Sequence, residues 1–203
     1  VNPNNPMGNV YTEDELRAVI QQADHVGAIV IVDEAYHYFY PHTFLEYALK
    51  RDNVVILRTF SKLFSLAACR LGVIISNPEL IKLVKNIRLT FDVNSIALLF
   101  GERILEHPEI MKELIAIEAE GKAFILNDLS LHGYEYRRCE GNFVLLKPKH
   151  DAHDIERKLR EKSKILVHAY SGGLLRSYIR VSIGSVKAME RFLKCFYEAD
   201  LPQ

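Results

Sequence analysis

Lys62 closes the stretch Val54-Val55-Ile56-Leu57-Arg58-Thr59-Phe60-Ser61-Lys62, in which an apolar run ends in two hydroxyls and an amine. In open α/β sheets, ligands bind just beyond the carboxyl ends of the strands, so an amine there stands where a ligand would be. A second apolar run, Ala28-Ile29-Val30-Ile31-Val32, ends in Asp33, with Tyr36 three residues further on. Arg70 follows Lys62 by eight positions, and Asn5 lies in the turn-dense opening Asn2-Pro3-Asn4-Asn5-Pro6-Met7-Gly8. An amine can form a Schiff base with a carbonyl. A carboxylate can keep a ring nitrogen protonated, which makes the ring an electron sink. Hydroxyls and a planar guanidinium suit the oxygens of a phosphate, and an amide and a phenol can bond a ring hydroxyl. The set is what a carbonyl cofactor with a pyridine ring and a phosphate tail requires. A single lysine after a strand is ordinarily a solvated loop residue; seven such groups at the ends of neighbouring runs are not.

The elements that must position these groups alternate between strand and helix. Continuous apolar runs read as buried strands, covered on both faces. Thr12-Glu13-Asp14-Glu15 is a capping box, followed by Leu16, Val19, Ile20 and Ala23 at helical spacing. Residues 44–49 form a short crossover helix, and 66–75 run from a bend into a third apolar strand. Asn77 caps a helix over 78–87 with Pro78 at its first position. Two more helices follow, over 93–106 and 108–131. The pattern then changes to short strands at 134–136, 142–147, 164–168 and 178–183, with helices at 152–162 and 185–199. Such a run fits a small α+β layer. The expected division is residues 1–115 and 116–203.

The chain has 203 residues, with 26 Lys and Arg against 26 Asp and Glu. A zero formal charge gives no bulk electrostatic support for nucleic acid or an anionic membrane as partner. No apolar run is long enough to span a bilayer. Cys69, Cys139 and Cys195 are far apart, so neither a disulfide framework nor a CxxC metal spacing exists. They read as buried fillers, and a cytoplasmic setting is expected.

Five motifs in order carry a resemblance: Asn-Pro-Asn-Asn-Pro-Met-Gly, Val-Asp-Glu-Ala-Tyr, Arg-Thr-Phe-Ser-Lys with Arg70 beyond it, Glu-Gly-Asn-Phe-Val-Leu-Leu at 140–146, and Ile-Arg-Val-Ser-Ile-Gly at 179–184. The chain resembles the fold-type I, class I/II aminotransferases that use pyridoxal 5'-phosphate, and within them the histidinol-phosphate aminotransferases. The resemblance implies an α/β fold: part of the large domain, three-layered around a mostly parallel sheet, and a small α+β C-terminal domain. It implies Lys62 as the Schiff-base lysine and proton-transfer base. Asp33 would pair with the pyridine nitrogen, and Tyr36 and Asn5 would contact the ring oxygen. Thr59, Ser61 and Arg70 would hold the phosphate. Arg180 would bind the substrate's acidic group, with Asn142 nearby. The reaction implied moves an amino group between a donor such as glutamate and a phosphorylated or acidic oxo substrate, in a homodimer. An amino-acid phosphate decarboxylase of the same fold is the alternative, and a non-catalytic scaffold a further one.

Three departures accompany the resemblance. Met7 replaces the usual Thr of the Asn-Pro-Thr-Gly turn. His168 stands where such enzymes usually carry an Arg that grips phosphate or carboxylate, and a histidine is a weaker, pH-dependent partner; Arg176 or Arg137 is a substitute charge. The segment that precedes the Asn-Pro motif in the family is not in these residues, so the chain reads as a C-terminal fragment, inactive or feeble by itself. Among weaker signals, His150-Asp151-Ala152-His153-Asp154 has metal-like spacing, but Asp151 reads as a helix cap, and no metal is expected. His37, Tyr38, Phe39, Tyr40 and His42 read as loop packing, and the Tyr170-Ser171-Gly172-Gly173 loop as a turn near the substrate.

Overall fold

The computed structural model describes residues 1–90 and 92–201, and the chain divides into two compact units, Val1–Leu114 and Ile115–Gln203.

The first unit opens with helix α1 (Glu13–His25). The Thr12 hydroxyl accepts the Glu15 amide at 3.2 Å and the Glu15 carboxylate accepts the Thr12 amide at 2.8 Å, so the capping box is complete. α1 turns Leu16 and Ile20 inward onto a sheet of three strands, β1 (Val30–Asp33), β2 (Val54–Thr59) and β3 (Gly72–Ile75), in the order β1-β2-β3. The short helix α2 (Leu45–Lys50) lies between β1 and β2 in the chain. Leu16, Ile20, Val32, Phe44, Ala48, Val54 and Ile56 form one core. Helices α3 (Pro78–Ile87) and α4 (Ser95–Glu106) follow, capped by Asn77 and Asn94.

One expectation holds for the middle strand and is corrected for the outer two. Val54, Val55 and Ile56 of β2 are buried on both faces, whereas Ile31 of β1 is 60% exposed and Val73 and Ile74 of β3 are exposed as well. Successive strand residues face opposite ways, and α1 and α2 cover the face that carries Val32, Val54 and Ile56. The third strand runs against the second. β1 pairs with β2 in parallel, whereas β2 pairs with β3 antiparallel. The α/β class holds, with one parallel and one antiparallel ladder.

The division between the units falls inside helix α5 (Pro108–Leu131). The second unit continues with β4 (Glu135–Arg138), β5 (Phe143–Lys147), α6 (Ala152–Lys158), β6 (His168–Ala169), β7 (Ile179–Ser182) and α7 (Val186–Ala199). Its sheet is antiparallel throughout, ordered β4-β5-β7-β6. Ile125 and Leu129 of α5, Val144 and Leu146 of β5, Ile179 and Val181 of β7 and Met189, Phe192 and Phe196 of α7 share one core. Asp151 caps α6, its carboxylate accepting the His153 and Asp154 amides. Residues 164–168 were expected to be a strand, but only His168–Ala169 pairs. α6 runs into a wider π-type turn at Leu159–Ser163 that ends on Lys164 at φ 55°, and the Ile165 amide folds back onto the Leu159 carbonyl. The left-handed residue closes the helical turn, so that Lys164 itself is not part of an extended run.

Candidate functional site

Strand alternation sorts the candidate residues of the first unit. Asp33 stands in register with Leu57, so Asp33, Leu57 and Thr59 project from one face of the β1–β2 ladder. Val32 and Ile56, also in register, project from the other, into the core. Two residues along and one strand across put the Asp33 and Thr59 Cα atoms about 8 Å apart, from standard strand rise and spacing.

The segment beyond each tip is tied down by short-range bonds. At β1, the Asp33 carboxylate accepts the Ala35 amide at 3.0 Å, while its carbonyl accepts the Asn2 amide at 2.9 Å. The Asn2 side chain in turn accepts the Tyr11 amide at 2.9 Å. Within the opening turn, Gly8 at φ 69° donates to the Asn4 carbonyl and Met7 to the Asn4 side chain. The Asn-Pro segment is therefore a closed turn fastened at Asn2 to the end of β1, with Asn5 exposed on it.

At β2, the Thr59 hydroxyl accepts the Ser61 amide at 3.1 Å and donates to the Leu71 carbonyl at 3.4 Å. Phe60, Leu63 and Phe64 are buried on either side of Lys62, and the rings of Phe60 and Phe64 lie 5.3 Å apart. Lys62 between them is half-buried. Its ammonium lies 5.3 Å from the centre of the buried Tyr36 ring, a cation–π distance, and among the described residues it has no carboxylate partner. Lys62 and Tyr36 thus meet, although 26 positions separate them in the sequence.

Arg70 is less committed. It is exposed, at φ 53°, and its guanidinium donates to the Ala67 carbonyl at 2.9 Å rather than to Thr59 or Ser61. A left-handed conformation costs a side-chain-bearing residue about 1–2 kcal/mol, and such outliers cluster at functional loops.

Asn142 and Arg180 belong to the second unit. The Asn142 carbonyl accepts the Ile183 amide at 2.8 Å, which sets the start of β5 beside the end of β7. Arg180, on β7, lies 5.6 Å over the Phe143 ring and stands in register with Leu145 on one side and His168 on the other. The residue that departs from the family pattern is therefore the cross-strand neighbour of Arg180. Arg137 lies on β4, in register with Leu145, and Arg176 follows a short turn at Gly173–Leu175.

Two groups of buried charges were not anticipated. Behind the tips, Arg58 donates through Nε and Nη2 to one oxygen of Glu34 at 3.0 and 2.9 Å, with side chains 15% and 2% exposed. The Thr43 hydroxyl donates to the same carboxylate at 2.9 Å, and the Phe44 amide reaches its other oxygen at 2.7 Å. Burial, and then the Arg58 charge, hold the nearby His37 imidazole below its usual range. The available signal was an arginine inside an apolar strand run, which demands a partner. In the second unit, the buried Lys122 ammonium donates to the Gly141 carbonyl at 3.0 Å. Burial lowers the Lys122 pKa and raises that of Glu118, one turn earlier.

Comparison with protein families matches residues 1–196 to aminotransferase class I and II. The chain is 34% identical over 195 residues to a histidinol-phosphate aminotransferase of Clostridium novyi, covering 96% of this chain and 53% of that protein. It is 35% identical to that of Geobacter sp. strain M21, covering 97% and 55%. The chain spans about half the length of the curated relatives it matches. Among solved structures, histidinol-phosphate aminotransferase from Sinorhizobium meliloti, in complex with pyridoxal-5'-phosphate, is similar with a TM-score of 0.86 and 25% identity, covering 98% of this chain and 55% of that one. L-threonine-O-3-phosphate decarboxylase from Porphyromonas gingivalis is similar with a TM-score of 0.79 and 25% identity, covering 97% and 62%.

Proposed function

We propose, because the chain belongs to the aminotransferase class I and II family, that it carries the lysine-bearing part of a pyridoxal-phosphate-dependent aminotransferase. One observation carries the reading. The Lys62 amine, without an acid partner among the described residues, is held over Tyr36 just beyond the tips of the two strands that end in Asp33 and Thr59.

The donor set fits the cofactor. When bound, pyridoxal phosphate supplies an electrophilic aldehyde and a pyridine ring that takes up electron density. Lys62 Nζ would be the amine that holds the cofactor at its aldehyde carbon, and the same side chain would serve as the base for the substrate's Cα proton. Asp33, with one carboxylate oxygen on the Ala35 amide, would offer the other to the pyridine N–H and so favour its protonated form. The Tyr36 phenol and the Asn5 amide would contact the ring oxygen. Thr59 and Ser61, already on one tight turn, and Arg70, once released from the Ala67 carbonyl, hold the phosphate. Arg180, with Asn142 beside it, receives the acidic group of the substrate, as a planar fork suits a carboxylate or phosphate.

The substrate class is a phosphorylated or acidic oxo substrate, with an amino donor such as glutamate; the histidinol-phosphate aminotransferase relatives support it. The homodimer and the cytoplasmic setting belong to the same reading. No helix among the described residues is long and apolar enough to cross a membrane.

Loading the full-length protein with pyridoxal phosphate is expected to produce a visible absorption band that Lys62→Ala abolishes. A band that survives the substitution removes Lys62 from its role. The likeness to a threonine-phosphate decarboxylase favours a second reading, and assay for carbon dioxide against 2-oxoglutarate separates the two. Absence of cofactor binding, together with no response to any amino acid, turns the reading to a scaffold.

A further inference from the structure

The face of the sheet that carries Asp33 and Thr59 is backed, on the opposite face, by a buried ion pair that nothing in the proposed chemistry uses. Arg58 precedes Thr59 and Glu34 follows Asp33, so the pair joins the strand tips from behind. Its connections run in four directions. Glu34 receives both Nε and Nη2 of Arg58. The Thr43 hydroxyl accepts from Arg58 Nη2 at 2.8 Å and donates to Glu34. Thr43 also accepts the Leu45 amide at 3.1 Å and Glu34 the Phe44 amide at 2.7 Å, which fastens the start of α2. The Glu34 amide donates to the Leu57 carbonyl at 2.9 Å, extending the β1–β2 ladder past Asp33.

A buried ion pair is seldom the most stabilising way to fill space, since apolar residues of similar volume often do as well or better. Its distinctive property is geometric: the planar guanidinium donates Nε and Nη2 to one Glu34 oxygen while the other oxygen takes the Phe44 amide, which few relative orientations of the two side chains allow. We propose that Glu34 and Arg58 are positioning residues, which fix the separation and rotation of the β1 and β2 tips and so hold Asp33, Thr59 and the Lys62 loop in register for the cofactor. This rests on the reading of Asp33 and Lys62 given above, but its local consequence does not require the cofactor.

The amides of Ala35 and Ser61 report that consequence, because one is bonded to the Asp33 carboxylate and the other to the Thr59 hydroxyl. Amide hydrogen exchange of the full chain without cofactor is compared in wild type, E34Q, R58M and R58K. Positioning predicts that E34Q and R58M accelerate exchange at Ala35 and Ser61 by tenfold or more over any acceleration at Val54 and Ile56, with R58K intermediate. An equal acceleration at all four residues, or none at the tips, overturns the proposal. A single charge left unpaired in the core can prevent folding, so the double variant E34Q/R58M, which buries none, serves as the control. It is expected to fold with the tips still fast; slow tips in it would show that neutral packing suffices. In the loaded protein the same variants are expected to bind pyridoxal phosphate at least tenfold more weakly. If wild type binds none, the functional reading fails, while the exchange result still decides the role of the pair.

Discussion

The Lys122 ammonium donates a 3.0 Å hydrogen bond to the carbonyl of Gly141, the residue immediately before Asn142. A buried amine on α5 therefore fixes the backbone from which a proposed substrate ligand projects. Lys122→Met leaves that carbonyl unpaired, which costs about 1–3 kcal/mol, read by urea unfolding at neutral pH. Burial lowers the Lys122 pKa, so the unfolded chain binds more protons between the folded and the unfolded value. Wild-type stability should rise with pH through that window, up to the ordinary lysine range. The variant should lack that rise.

Gly121, the preceding residue, meets the turn after β7. A Cβ there would lie 1.8 Å from the Gly184 carbonyl oxygen, which is backbone and cannot move aside. Gly121→Ala is expected to lose roughly 3 kcal/mol or more, at or beyond the top of the range for overpacked sites. Gly133→Ala meets no atom within 4 Å but stands at φ +68°, so its cost should be only about 1–2 kcal/mol. Thermal unfolding of the two variants tests the order.

Asp200 is fully buried and accepts the Lys149 amide at 2.9 Å, the His150 amide at 3.0 Å and His150 Nδ1 at 2.9 Å. Burial, and a bond to the same carboxylate, push the Tyr134 phenol well above its usual range. One acidic side chain at the end of α7 thus holds the 149–150 loop. Asp200→Asn replaces one of the two acceptor oxygens by an NH2 that faces a donor, at a cost of roughly 3 kcal/mol, measured by chemical denaturation.

His37 gives the first unit a pH dependence. Its pKa is lowered, chiefly by burial and then by the Arg58 charge, so the unfolded chain binds the proton more readily. The contribution is present above about 6.5, the ordinary histidine value, and is lost as pH falls towards the folded value. His37→Gln should flatten the fall in stability of the full chain below that pH. An unchanged slope would mean that the imidazole does not stay neutral in the folded state.

Arg180 and His168 face each other across β7 and β6. If they share a substrate's acidic group, Arg180→Ala should raise KM for that substrate tenfold or more and leave the cofactor's visible band unchanged. His168→Arg should lower KM for a phosphorylated substrate, because a planar guanidinium offers phosphate a fork of donors that an imidazole lacks. Steady-state kinetics on the full-length protein provides both values.

Local signals were legible in the sequence, and long-range ones were not. Thr12 with Glu15, Asn77 with Pro78, and Asp151 each announce a helix start, because cap and partner lie within three residues. Asp33 and Thr59 end their strands as the apolar runs suggested. The exposure of Ile31 and the antiparallel run of β3 were not readable, because an apolar run does not say which of its faces a helix will cover. The late start of the expected 164–168 strand, at His168, follows a left-handed turn at Lys164 for which lysine carries no signature.

By itself the sequence determined which chemical groups stand at the strand ends and where the helices begin, since both are written within a few neighbouring residues. Only the tertiary structure decided that Lys62 lies over Tyr36, that Arg58 finds Glu34 and that Lys122 finds Gly141. Those pairs are 26, 24 and 19 positions apart. Their meeting depends on strand register and helix packing, which are properties of the assembled unit and of no single segment.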